Sequence, residues 1–307
     1  MSDAGTPPRR PLLRRVLRWT IFSLVVAVLA EPALVLAILT NPRRGDAPPD
    51  RSLLAQSLPL GGLEQVDFAT EDGLVLRGDR IGSLDRPVVV FGHGYRHRRR
   101  QGDPLAKELL ARGYSVLSFD FRGSGDSDGA FTAIGAREAV DVRAALRHLA
   151  ARGVPPERTA YVGFSMGGAA ALLAGGALAD LAAVVVIAPY NRLLETFERR
   201  STRFGVPLRP WLVPAVGMFG WVHDVDPATI RPIEGAPAIA PAPLLILGAR
   251  DDWRAPPDGL EELYRAANEP KRLEILPRGN HLDLARLGPE VRAPIIQFLE
   301  TTLAPDD

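Results

Sequence analysis

From Leu63 onward, short apolar runs alternate with segments of helical period, and this narrows the possible folds more than any other feature of the chain. Pro87–Phe91, Ser115–Asp120, Thr159–Phe164, Leu181–Ala188, Pro243–Leu247 and Arg272–Leu276 read as strands. Most are continuously apolar, as strands covered on both faces must be. Asp103–Arg112, Ala133–Ala151, Met166–Leu178, Gly259–Ala267 and Pro289–Leu303 read as helices, the first two closed by Gly113 and Gly153. Leu63–Thr70 and Leu74–Ile81 flank Glu71-Asp72-Gly73, the signature of an antiparallel hairpin. The expected class is therefore α/β, a mostly parallel sheet covered by helices on both faces and entered through a hairpin. Asn191–Ala242 breaks the rhythm with Pro and aromatic residues. It reads as a small helical cap inserted at the C-terminal edge of the sheet, with short helices at Arg192–Arg203 and Leu208–Val222.

The chain has 307 residues, enough for one large domain or two small ones, each with a sizeable core. A formal net charge of +1 argues against a nucleic-acid partner. The absence of cysteine excludes disulfide scaffolds, thiolate–metal sites and cysteine nucleophiles.

Residues 1–18 form a basic tail holding Arg9, Arg10, Arg14, Arg15 and Arg18. An apolar run follows over 19–40, long enough at 1.5 Å per residue to cross about 30 Å of hydrocarbon. Glu31 and Pro32 interrupt it. The aliphatic residues contribute roughly −5 kcal/mol of insertion free energy against roughly +3 for one central acid, so a membrane helix kinked at Pro32 is expected. Two other readings stay open. Thr20–Ala30 could be the apolar core of a secretory signal cut after Ala30, or the run could be a buried core helix. Arginine excess before the span favours N-terminus inside. The expected location is a bacterial inner membrane with the bulk of the chain outside the cytoplasm, or secretion if the signal is cut. Residues 41–62 read as a linker rich in Pro, Gly, Asp and Arg, and 63–307 as the main domain with 191–242 as its cap.

The chemistry falls at strand ends. Gly163-Phe164-Ser165-Met166-Gly167-Gly168 leaves one strand and opens one helix, the context that G-x-S-x-G requires. A serine hydroxyl needs a tight turn to expose it and a base to activate it. The competing reading is a glycine-rich packing turn. Phe91-Gly92-His93-Gly94-Tyr95 follows the Pro87–Phe91 strand, so the backbone N–H of Tyr95, with that of Met166, is placed to receive an oxyanion. His93 reads as a brace for that loop rather than a base. Asp251 and Asp252 both lie just past the Pro243–Leu247 strand, where an acid can orient a histidine. A turn-capping role suits one of the two. His281, in Pro277-Arg278-Gly279-Asn280-His281, is the candidate general base. The order Ser165, Asp251, His281 is the order such a triad takes on this kind of sheet. His97, His148 and His223 have no such placement, and His148 is expected on a helix surface.

These motifs, with Asp120-Phe121-Arg122-Gly123-Ser124-Gly125-Asp126-Ser127 and Gly248-Ala249-Arg250-Asp251, resemble the α/β-hydrolase superfamily. The resemblance is to its serine aminopeptidase-like and monoacylglycerol-lipase-like branch and covers Leu63 to the C-terminus. It implies Ser165 as nucleophile, His281 as base, Tyr95 and Met166 as amide donors, and Asp120 and Arg122 as structural loop residues. Counted from Gly248 in the family pattern, Asp251 is the preferred acid and Asp252 the alternative.

The expected reaction is hydrolysis of a carboxylic ester, a small acyl ester or lipid, through an acyl-enzyme on Ser165, with no metal and no cofactor. A peptidase or an acyltransferase could use the same triad, and a non-catalytic binding protein could keep the scaffold. Phe197, Trp211, Phe219 and Trp221 either line an acyl pocket or pack the cap onto the core. Arg96, in the run Arg96-His97-Arg98-Arg99-Arg100, is a candidate contact for an anionic substrate or lipid head group, the alternative being a solvated basic face.

Overall fold

The computed structural model describes residues 15, 18–20, 22–23, 62–203 and 217–304. A single eight-stranded sheet organises them, in the order β1-β2-β4-β3-β5-β6-β7-β8. Strands β1 (Leu63–Ala69) and β2 (Val75–Ile81) form the expected antiparallel hairpin, and β2 also runs antiparallel to β4 (Ser115–Phe119). All other pairings, through β3 (Val88–Gly92), β5 (Thr159–Phe164), β6 (Ala183–Ile187), β7 (Leu244–Ala249) and β8 (Lys271–Leu276), are parallel. Every residue of β3, β4, β5, β6 and β7 is buried, which explains their largely apolar sequences, broken only by Ser115 and Ser118 in β4 and Thr159 in β5. β8 closes the sheet and is only half-buried, so its sequence admits Lys271, Arg272 and Glu274.

The helices of the main layer are α1 (Asp103–Ala111), α2 (Glu138–Ala150) and α3 (Met166–Ala174). Between β6 and β7 come α4 (Leu193–Arg203), α5 (217–223) and the single turn α6 (Pro232–Gly235). Then follow α7 (Pro257–Ala266), α8 (His281–Ala285) and α9 (Pro289–Thr302). Helix α2 starts five residues later than its apolar period suggests. The fully buried Glu138 carboxylate takes hydrogen bonds from the backbone N–H groups of Ala133 and Gly135 and from the Thr132 hydroxyl, which holds 132–138 as a loop. His148 does not lie on the helix surface. It is 6% exposed, and its ring packs tilted against Phe68 of β1, centroids 4.8 Å apart, because the hairpin folds over α2.

The strand order places the site. After β3 the chain moves to one side, to β4, then crosses back over β3 to β5 on the other. Loops leaving the C-terminal ends of β3 and β5 therefore diverge and open a crevice between them. Gly92 ends β3 and Phe164 ends β5, so the His93–Tyr95 loop and Ser165 face each other across that crevice.

The expected membrane segment, 19–40, lies outside the described residues except at positions 19, 20, 22 and 23, which are helical. Among the described residues no helix is long and apolar enough to cross a membrane. The linker, apart from Gly62, also lies outside them.

Candidate active site

Ser165 sits at φ 51°, ψ −108°, between the last residue of β5 and the first of α3. An L-residue held there stores about 1–3 kcal/mol of strain, which only a tightly determined turn sustains. The neighbouring glycines make that turn possible. A Cβ on Gly163 would lie 2.6 Å from the carbonyl carbon of Gly167, and one on Gly167 would overlap the carbonyl oxygen of Gly92. The second contact also brings the end of β3 against the elbow. The Ser165 N–H donates to Ile187 O at 2.7 Å, tying the turn to β6, and Tyr161 O–H donates to Gly167 O at 3.0 Å from below. The side chain is left half-buried at the N-terminus of α3, where the helix dipole favours developing negative charge.

His281 reaches this hydroxyl from β8. Asn280 caps α8, accepting from Leu282 N–H, while Asp283 accepts from the Asn280 N–H, and this capping box fixes His281 at the first helical position. Its Nε2 lies 3.0 Å from Ser165 Oγ, and its Nδ1 lies 2.7 Å from Asp252 Oδ2. A carboxylate only accepts, so Nδ1 carries the proton and Nε2 is left to accept from the serine. The Phe164 ring packs at 5.0 Å from the imidazole and limits its rotation.

The acid in contact with His281 is Asp252, which corrects the preference for Asp251. Asp252 is 1% exposed, and its other oxygen accepts from Arg254 N–H at 2.8 Å and Ala255 N–H at 3.2 Å. Asp252 N–H donates back to Ala249 O, closing a turn that turns Asp251 outward and Asp252 inward. Asp251 instead clasps the loop that carries His281: its N–H donates to Gly279 O, and its carboxylate accepts from Gly279 N–H at 3.2 Å. The turn-capping role expected of one aspartate and the histidine contact thus fall on the two oxygens of a single residue.

The loop after β3 is braced from several sides. His93 is fully buried. Its Nδ1–H donates to Gly94 O at 2.8 Å, and its Nε2 accepts from Phe121 N–H at 3.0 Å, so both ring nitrogens are engaged in holding the loop. Gln101 links two parts of the site, accepting from Gly94 N–H at 2.8 Å and donating to Ala285 O at the end of α8 at 3.1 Å. Nothing in its local sequence marks Gln101 out. Its partners are 7 and 184 residues away, a pairing only the fold creates. His97 also belongs to this wall: its N–H donates to Gly94 O, and its ring stands edge-on to Phe164 at 6.1 Å. Burial, with His93, His281 and Arg254 nearby, pushes its pKa down to about 4 and keeps it neutral.

The basic run after this loop is divided in its roles. Arg99 turns inward, 8% exposed, and pairs with Asp79, Asp120 and Asp126. Arg100 also pairs with Asp79. Arg96, at φ 62°, lies over the Tyr95 ring at 5.5 Å. Asp120 and Arg122 both serve structure, Arg122 bridging Asp72 and the fully buried Asp141.

In the cap, Phe219 is buried and Phe197 half-buried in a cluster with Ile134, Tyr190, Leu193 and Ile230, which joins cap to core. Trp221 is 84% exposed and points to solvent, and Trp211 lies outside the described residues. Among the described residues no group of three or more His, Cys, Asp or Glu is placed to hold a metal ion.

Residues 85–226 match the family described as serine aminopeptidase, S33. The chain is 31% identical over 270 residues to the uncharacterized protein Rv2307c of Mycobacterium tuberculosis, covering 85% of each chain. It is 29% identical over 255 residues to the uncharacterized protein YfhR of Escherichia coli K12, covering 80% of this chain and 83% of that one. Among solved structures, an esterase of Pyrococcus furiosus superposes with a TM-score of 0.67 at 25% identity, covering 84% of this chain and 97% of that one.

Proposed function

This chain belongs to the α/β-hydrolase superfamily, and from that premise we propose that it hydrolyses carboxylic esters through an acyl-enzyme on Ser165. The observation that carries the proposal is the continuous contact Ser165 Oγ, His281 Nε2, His281 Nδ1, Asp252 Oδ2. Ser165 Oγ attacks the ester carbonyl carbon as its proton passes to His281 Nε2. The carbonyl oxygen gains the electron pair and is received by the N–H groups of Met166 and Tyr95. Collapse of this intermediate breaks the C–O bond, and the imidazolium returns its proton to the leaving alcohol. Water then adds to the acyl carbon as its proton passes to the same imidazole, and the bond from that carbon to Ser165 Oγ breaks as the imidazolium returns the proton to Oγ, releasing the acid. Asp252 stays ionised throughout and fixes the tautomer.

Ester rather than amide cleavage is favoured by the Pyrococcus furiosus neighbour, which is an esterase. The serine aminopeptidase description of the matched family keeps peptide hydrolysis as the second reading, and acyl transfer would differ only in the acceptor. A fluorophosphonate probe followed by an ester and amide panel tests the proposal. Ser165 should be the labelled residue, p-nitrophenyl esters should turn over, and Ser165→Ala should abolish both. Unlabelled folded protein, or ester turnover retained in Ser165→Ala, would overturn it.

We also keep as proposals the membrane helix at 19–40, the linker at 41–62, and a location outside the cytoplasm. Their support is the length of the apolar run and the arginine bias of its flanks.

A further inference from the structure

The amide donor Tyr95 and the base His281 hang on different elements. Tyr95 lies in the loop after β3, and His281 opens α8, after β8. Three strands, β5, β6 and β7, stand between β3 and β8, so no ladder hydrogen bond fixes one against the other.

Each of the two is held from its own side. The Tyr95 N–H shares a trans peptide with Gly94 O, so the two point in opposite directions. Gly94 O accepts from His93 Nδ1–H at 2.8 Å and from His97 N–H at 3.1 Å, which fixes that plane. The preceding plane is fixed by Gln101, whose Oε1 accepts from Gly94 N–H at 2.8 Å. A Cβ on Gly94 would lie 2.6 Å from the Phe164 ring, so a rotation of this loop presses on the ring that packs against His281. Helix α8 has five residues, too few to be held by its own ladder. The Asn280 capping box secures its first turn. The carbonyl of Ala285, its last residue, has no acceptor role inside so short a helix, and Gln101 Nε2 donates to it at 3.1 Å.

Gln101 itself stands on a rigid base. It is half-buried on the 3₁₀ turn Arg99–Gly102, where Arg99 is locked to Asp79, Asp120 and Asp126, and its own N–H donates to Arg98 O at 2.9 Å. An amide suits the gap because one end must accept and the other donate. A carboxylate would meet Ala285 O acceptor to acceptor, and an ammonium would meet Gly94 N–H donor to donor.

We propose that Gln101 is a positioning residue: its amide sets the spacing between the Tyr95 N–H that receives the oxyanion and the His281 imidazole that moves the proton. This rests on the esterase reading and deepens it. Gln101 acts through its two partners and not by contact with the reacting atoms.

The test uses the full chain with p-nitrophenyl acetate and with phenyl trifluoromethyl ketone. Ser165 Oγ bonds to the ketone carbonyl carbon, the serine proton passes to His281 Nε2, and the carbonyl oxygen takes the electron pair and sits at the Tyr95 and Met166 N–H groups. The Ki of the ketone therefore reads donor and base together. Gln101→Leu should lower kcat/KM by about 10- to 100-fold, the scale of a misplacement of about 1 Å, and should raise Ki by at least ten-fold. Gln101→Glu is nearly the same size and keeps the bond from Gly94 N–H, but cannot donate to Ala285 O. It should show the same two effects, which isolates the tie to α8 and keeps the test decisive should Gln101→Leu not fold. A purely structural role would reduce the number of intact molecules and leave the Ki of the rest unchanged. Gln65→Glu, the same change on the exposed face of β1, should move neither value. A change of less than ten-fold in kcat/KM or in Ki for folded Gln101→Glu would overturn the proposal. A failure of the esterase reading appears separately, as the absence of p-nitrophenyl acetate turnover in the unsubstituted chain.

Discussion

Arg99 illustrates how little a charge run says about individual side chains. It stands among four other basic residues from Arg96 to Arg100, yet its guanidinium lies under the loop, against Asp79 of β2 and Asp120 after β4, with Asp126 at its open edge. Removing one partner of a buried set leaves charges that water cannot reach, which typically costs about 3–5 kcal/mol. Arg99→Ala should therefore lower unfolding free energy by about that amount in denaturant titrations, with little response to salt. Arg96→Ala, which removes a half-buried side chain lying over Tyr95 but no buried ion-pair set, should cost clearly less, about 1 kcal/mol. Equal small effects for both would contradict the division of the run. The aspartate pair carries a similar lesson. Asp251 and Asp252 are indistinguishable by type and neighbourhood, and what separates them is the turn closed by Asp252 N–H on Ala249 O. Spacing counted from Gly248 cannot anticipate which of two adjacent residues such a turn faces inward.

At the scale of elements, the sequence is most legible where burial is complete. The central strands are largely apolar and buried throughout, and the Asp72-Gly73 turn defines the hairpin before them. The elbow is legible for a steric reason: only glycine at 163 and 167 lets β5, α3 and the end of β3 approach so closely. Element edges are less legible, because they depend on single distant contacts. Helix α2 begins at Glu138 since that carboxylate caps the preceding loop, and the apolar period before it gives no sign of this. His148 has the same origin as an error, a helix position that looks solvated until the hairpin covers it. Type and spacing alone do not separate lining from packing for the aromatics of 191–242; Phe219 lies in the packing cluster, with Phe197 against it.

At the scale of the molecule, three histidines give the fold a common acid response. Burial holds His97, His148 and His223 each down to about 4, below their ordinary value of 6.5. Between these values the unfolded chain binds protons that the folded chain does not. Their contribution is thus fully present above about pH 6.5 and is lost as pH falls toward 4. Burial raises Asp103 to about 6 and Asp141 to about 7, so these two carboxyls take up protons in the folded chain and oppose that loss; the melting temperature should fall less across the window than the histidines alone would give. His148→Gln should reduce the stability lost between pH 6.5 and 4 by an amount on the order of 1–2 kcal/mol, since burial first and Arg152 second hold this ring neutral in the folded chain. A slope identical to that of the unsubstituted chain would remove His148 from this account.

The ends of β5, β7 and β8 bring Ser165, Asp252 and His281 into hydrogen-bond contact, and the proton relay we propose runs along these contacts. Steady-state hydrolysis of a p-nitrophenyl ester by Asp252→Asn and Asp251→Asn, compared side by side, tests it most directly. The geometry predicts a loss of about 10⁴ in kcat for Asp252→Asn, where the histidine tautomer is released. Asp251→Asn, which only loosens the Gly279 clasp, should stay within about ten-fold of the unsubstituted chain. The reverse ranking, or full activity in Asp252→Asn, would contradict the account.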